Sequence, residues 1–128
     1  MKGLLTSRTE LEIFGKIYEK EDIIPVEFDK EENNVKFELK QNEFMHKLIS
    51  KSQNFAINIP RLDFEKEADI CEMNEGEFTD KFSLVDLEKL ECDAIDCSCL
   101  GRSTVYECTL IKEDKDGFIG RIIKEREI

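Results

Sequence analysis

The sequence predicts a mainly β chain with two or three short helices, and three observations carry that reading. Apolar and polar residues alternate with a period of two, most cleanly where Val35, Phe37 and Leu39 oppose Lys36, Glu38 and Lys40. Turn signals, Gly101-Arg102-Ser103 and Lys115-Asp116-Gly117, punctuate the C-terminal third. In the middle, from Phe44 to Phe82, a helical pattern, a strand and a second helical pattern follow one another. A strand-rich chain of this size manages its edges by closing into a barrel or by pairing with a second subunit.

The elements follow in order. Leu11, Ile13, Gly15 and Ile17 alternate with Glu12, Phe14, Lys16 and Tyr18, which predicts one strand with a single buried face. The charged run Glu19-Lys20-Glu21-Asp22 predicts a turn, and Ile23 to Phe28 a second strand in which Pro25 implies an edge or a bulge. Asp29 to Asn34 reads as a polar loop before the third strand, Val35 to Lys40. Asn42 is placed to cap a helix bearing Phe44, Met45, Leu48 and Ile49 at helical spacing. Phe55, Ile57 and Ile59 form the fourth strand, which Pro60 stops. Asp63 is placed to cap the next helix, with Phe64, Ala68 and Cys71 on one face, and a short helical turn is expected near Leu84 to Leu87. Glu91 to Leu100, Thr104 to Glu113 and Phe118 to Lys124 read as a three-stranded meander, with Gly101 supplying a positive φ.

Composition narrows the function. The 128 residues fit one domain, residues 1–128, and their formal charge of −11, from 30 acidic and 19 basic residues, disfavours nucleic acid and anionic membranes as partners. No apolar run reaches the ~18 residues of a membrane span, and no secretory signal is recognisable, so a cytoplasmic location with reduced thiols is expected. His46 is the sole histidine, so zinc sites needing several histidines are excluded, and no G-x-S-x-G elbow accompanies it. Neither G-x-G-x-x-G nor a P-loop occurs. No catalytic residue and no metal ligand is assigned.

Cys92, Cys97 and Cys99 form C-x4-C-x-C, with Cys108 on the next predicted strand. Strand alternation puts Cys97 and Cys99 on one face and Cys92 on the other unless a bulge intervenes, and a turn near Arg102 would make Cys97 and Cys108 cross-strand neighbours. Buried packing is the leading role for these residues, with thiol redox chemistry the alternative and metal binding a smaller one.

Three ordered pieces resemble the flavin reductase-like, FMN-binding split-barrel family, flavoredoxins included: Phe55-Ala56-Ile57-Asn58-Ile59-Pro60, then Gly76 with Asp80-Lys81-Phe82, then Tyr106-Glu107-Cys108-Thr109-Leu110 with Asp116 to Ile122. Ile23 to Phe28 and His46-Lys47-Leu48-Ile49 are similar to two further family segments. The resemblance implies a split β-barrel, a homodimer with FMN near its interface, and electrons taken from a reduced nicotinamide or an iron–sulfur partner. NAD(P)H would dock transiently on the flavin. It also implies a flavin site drawn from Ile24, Pro25, Val26, Phe28, His46, Lys47, Asn58, Arg61, Lys81 and Phe82. In that site the amides from Ile24 to Phe28 meet the ring edge, Phe28 or Phe82 lies against the ring, and Lys47, Lys51, Arg61 or Lys81 meets the phosphate.

The sequence also departs from the family pattern. Asp22 replaces an Asn, Glu27 replaces a small hydroxyl residue, and only Asp29 to Asn34 stands where relatives carry about a dozen more residues ending in Pro-Pro. A carboxylate repels a phosphate dianion. These departures define an alternative, a shortened paralogue that has lost the flavin and serves as a dimeric binding or assembly module.

Overall fold

The computed structural model describes residues 1–39, 42–115 and 117–128. Its strands are β1 (Lys2–Ile13), β2 (Lys16–Glu31), β3 (Asn34–Glu38), β4 (Asn54–Pro60), β5 (Lys89–Glu91), β6 (Ser98–Leu100), β7 (Ser103–Glu113) and β8 (Gly117–Glu127). Its helices are α1 (Glu43–Ser52) and α2 (Glu65–Met73), with a 3-10 turn at Lys81–Ser83. Six strands close into an antiparallel barrel in the order β1-β2-β3-β8-β7-β4, while β5 and β6 pair separately. Closure removes the unpaired edges that an open sheet would expose.

Alternation fills the barrel. Leu5, Ile24, Val26, Phe28, Val35, Phe37, Phe55, Ile57, Tyr106, Cys108 and Phe118 form its main cluster, joined by Met45, Leu48 and Ile49 from α1. Phe37 meets Phe55 edge-to-face with ring centroids 5.1 Å apart. The outer wall is covered too. Leu4 and Ile23 pack against Cys71 of α2, Phe82, Val85 and Leu100, while Ala56 and Val105 pack beneath Ile95, Cys97 and Cys99. Strands buried on both faces read as continuous apolar runs.

Several expectations hold. Asn42 caps α1, its Oδ1 accepting from Met45 N at 2.9 Å. At α2 the expected Asp63 cap is not formed: Phe64 is the cap residue, without a side-chain cap bond, and Asp63 Oδ1, one residue earlier, accepts from Glu65 N at 3.0 Å in a local turn. Pro25 lies where β2 is paired on one side only. Met1 and Phe28 exchange both hydrogen bonds, so alternation makes Leu4 and Pro25 a non-hydrogen-bonded pair, and the Pro25 nitrogen faces the unpaired side.

Others are corrected. Leu11 to Tyr18 is not one strand, because the chain reverses at Phe14-Gly15 (φ 51° and 78°), the positive pair that a two-residue hairpin turn requires. Glu19 to Asp22 is therefore strand, held in register by β1, and Lys2 to Arg8 is strand where none was expected. Gly101 does not carry the positive φ; Arg102 does, at 54°. Glu91 to Leu100 breaks into β5, a loop and β6, so the predicted meander reduces to the β7–β8 hairpin. The helical turn falls at Lys81–Ser83 rather than at Leu84 to Leu87. Lys40 and Asp116, which the sequence places in a strand and a turn, lie outside the described residues.

Phe55→Ala would empty the centre of the barrel. A loss of about 3–5 kcal/mol is expected, read as a lowered midpoint in urea unfolding.

Candidate functional site

The candidate site residues begin on β2. Ile24, Val26 and Phe28 point into the barrel, and Pro25 is half-buried. Phe28 N donates to Met1 O at 2.8 Å, and the same alternation commits the amides of Ile24 and Val26 to β1. Phe28 is tied up by packing as well, its ring 6.4 Å from that of Tyr106.

Lys81 is the most constrained of the set. Its ammonium is buried, 3.0 Å from Asp22 Oδ1, and donates to Ile23 O at 3.2 Å. Asp22 Oδ1 also accepts from Ile23 N at 2.8 Å, while Asp22 Oδ2 is buried with no hydrogen-bond partner. The carboxylate fills the space over Gly76, where an added Cβ would fall 2.0 Å from Asp22 Cγ. Burial pushes the Asp22 carboxyl above its ordinary range, against the pull of Lys81. The residue that departs from the family pattern thus neutralises the lysine that follows it. Phe82, beside Lys81, packs with Leu4 and Ile23 beneath the ammonium of Lys89, 5.0 Å from its ring centroid.

Asn58 and Arg61 are occupied structurally. Asn58 Nδ2 donates to Leu4 O at 2.9 Å, and its Oδ1 accepts from Leu100 N at 2.9 Å. Arg61 bonds Glu127 Oε2 at 2.9 Å and Ile128 O at 2.6 Å.

His46 and Lys47 stand apart on the outer face of α1. With Leu39, Asn42, Glu43, Ser50 and Lys51 they line an open groove of about 660 Å³, within the size of small-molecule sites. Lys47 and Lys51 are one helical turn apart and exposed, so both ammonium groups share this side. His46 Nε2 lies 3.3 Å from Glu113 Oε1, and its ring centroid lies 4.9 Å from that of Phe118. The ten residues therefore divide among the barrel interior, its buried outer wall and two surfaces. Of the ten, His46 and Lys47 share this groove.

An anionic cofactor is a poor fit at Lys81, where the unpaired Asp22 oxygen would repel a phosphate, and a better fit on α1. Among the described residues, no group of three His, Cys, Asp or Glu side chains is arranged to hold a metal ion.

Two buried charges had no warning in the sequence beyond standing in apolar surroundings. Arg8 forks onto Glu91, with Nη1 at 2.9 Å and Nη2 at 2.6 Å, and reaches Asp96 at 2.5 Å. Glu107, fully buried on β7, accepts from Asp93 N at 3.1 Å, Ala94 N at 2.6 Å and Arg126 at 3.2 Å. Both pin the β5–β6 segment to the wall.

Solved structures decide the fold. Flavoredoxin of Desulfovibrio vulgaris (Miyazaki F) matches with a TM-score of 0.80 at 19% identity, over 98% of this chain and 69% of that one. The chain has the flavin reductase-like split-barrel fold. An FMN-binding domain of a flavin reductases-like enzyme from Shewanella baltica matches at a TM-score of 0.74 and 16% identity, over 95% of this chain and 65% of that one. A flavoredoxin from Methanosarcina acetivorans matches at 0.67 and 17%, over 99% and 69%. The chain thus spans about two thirds of the length of these split barrels. No family model and no curated protein matches its sequence.

Lys81→Met would strand the buried Asp22 carboxylate. A loss of about 3–5 kcal/mol is expected at neutral pH, measured by denaturant unfolding. The sign with pH follows from the raised carboxyl: the folded state binds that proton more tightly, so Asp22 favours folding at low pH and less so as pH rises through its folded value. Acidification should therefore shrink the Lys81→Met deficit.

Proposed function

We propose that this protein is a flavin-related redox protein that binds FMN in the groove on α1 and passes electrons from a reduced nicotinamide or iron–sulfur donor to an acceptor. The observation that carries the reading is the split-barrel likeness over nearly the whole chain to flavoredoxins and an FMN-binding flavin reductase-like domain. When bound, FMN supplies a ring able to accept a hydride or to pass single electrons. The chain itself supplies binding and orientation. Lys47 and Lys51 offer the positive charge a phosphate needs against the acidic background, and His46 and Leu39 offer ring and apolar surface. NAD(P)H would meet the flavin transiently, consistent with the lack of a Gly-rich phosphate loop.

Titration with FMN tests this. Quenching of flavin fluorescence with a saturable end point is expected, weakened at least about tenfold by Lys47→Glu with Lys51→Glu, since like charge replaces attraction. Lys81→Met should leave flavin affinity unchanged, because Lys81 faces Asp22.

The Asp22–Lys81 pair favours a second reading, the shortened non-flavin paralogue acting as a dimeric binding or assembly module. A colourless protein that does not quench FMN would leave this reading alone. Both readings include a homodimer. Its support is the β1–β2 hairpin tip, where Phe14 is fully exposed and Ile17 and Tyr18 are 70% and 44% exposed. Phe14→Asp is expected to shift sedimentation from dimer to monomer; an unchanged dimer would place the interface elsewhere.

A further inference from the structure

Three of the five cysteines meet on the outer wall of the barrel. In the β5–β6 ladder Leu90 opposes Cys99 and Glu91 opposes Ser98, so one further step sets Cys92 opposite Cys97. Cys92 N donates to Cys97 O at 2.9 Å, which extends the ladder to that pair. Leu90, Cys92, Cys97 and Cys99 therefore share a face, and they pack in one cluster with Ala56 and Val105. Directly opposed residues have Cα atoms about 4.5–5.5 Å apart, inside the window of about 4.4–6.8 Å that a disulfide spans.

The surroundings single out this pair. Cys92 alone of the three reaches solvent, being half-buried. Arg126 Nη1 lies 3.7 Å from Cys99 Sγ. Between Cys92 and Cys97 the loop is anchored, since Glu107 accepts from Asp93 N and Ala94 N. Cys71 and Cys108 lie in other clusters, away from this face.

We propose that Cys92 and Cys97 form a peroxide-sensitive dithiol that hydrogen peroxide closes reversibly into a disulfide. Its sulfur neighbours and its burial raise the Cys92 thiol, so closure is expected to speed up as pH rises. The Cys92 sulfur gives up its proton and attacks one peroxide oxygen. The O–O bond breaks, leaving a sulfenic acid on Cys92, and the departing hydroxide takes that proton as water. The Cys97 sulfur then attacks Cys92, the S–O bond breaks, and the hydroxyl leaves with the Cys97 proton as a second water. Two thiols lose two electrons, and peroxide gains them.

The test is mass spectrometry of reduced full-length protein treated with hydrogen peroxide and then alkylated. Loss of two hydrogens, reversed by dithiothreitol, and a Cys92–Cys97 peptide link are expected. Absence of that loss, Cys92 passing only to sulfinic acid, or a link through Cys71, Cys99 or Cys108 would overturn the pair. Cys99→Ser is expected to form the same link, whereas Cys97→Ser should stop Cys92 at the sulfenic acid.

Discussion

The pairing of β4 on both sides closes the barrel, and one side chain secures it. β4 sits between β1 and β7, and Asn58, fully buried on it, donates to Leu4 O and to Thr6 Oγ1 and accepts from Leu100 N. The carboxamide has a donor and an acceptor to spend in opposite directions, so it ties β1 and β6 to the same strand. Without that tie the segment ahead of β7 would lose its backbone anchor on the wall. A buried amide left without partners would also cost more than its hydrogen bonds contribute.

Around this closure the wall is buried on both faces, and the charges admitted to the outer face are all paired. Asp22 faces Lys81, Arg8 forks onto Glu91, and Glu107 is held by Arg126 and two loop amides. Such pairs add little net stability over apolar packing, but removing one partner is expensive, so each fixes the position of the segment it touches. The consequence for function is a division of surfaces. The Lys81 side is internally neutralised, whereas α1 presents Lys47 and Lys51 uncovered, and these are the cations an anionic ligand can reach.

Where sequence reasoning failed, local chemistry was outweighed by partners distant in sequence. Phe14-Gly15 lacks the usual Asn-Gly or Asp-Gly signature, so a hairpin reversal read as continuous alternation. Glu19 to Asp22 carries turn-like charge but is strand, because β1 supplies a complete ladder opposite it. Cys97 and Cys108 face opposite sides of the barrel wall, since β6 pairs with β5 rather than β7.

By itself the sequence determined that strands dominate, that α1, β4 and α2 follow one another in the middle, and which residues are apolar enough to be buried. Those properties depend on periodicity and capping, which act over a few neighbouring residues. Only the tertiary structure decided that Lys81 is neutralised by Asp22, that Arg8 and Glu107 are buried, and that Cys92 faces Cys97. These depend on which strands lie side by side, and residues 83 positions apart, such as Arg8 and Glu91, meet only once the barrel has closed.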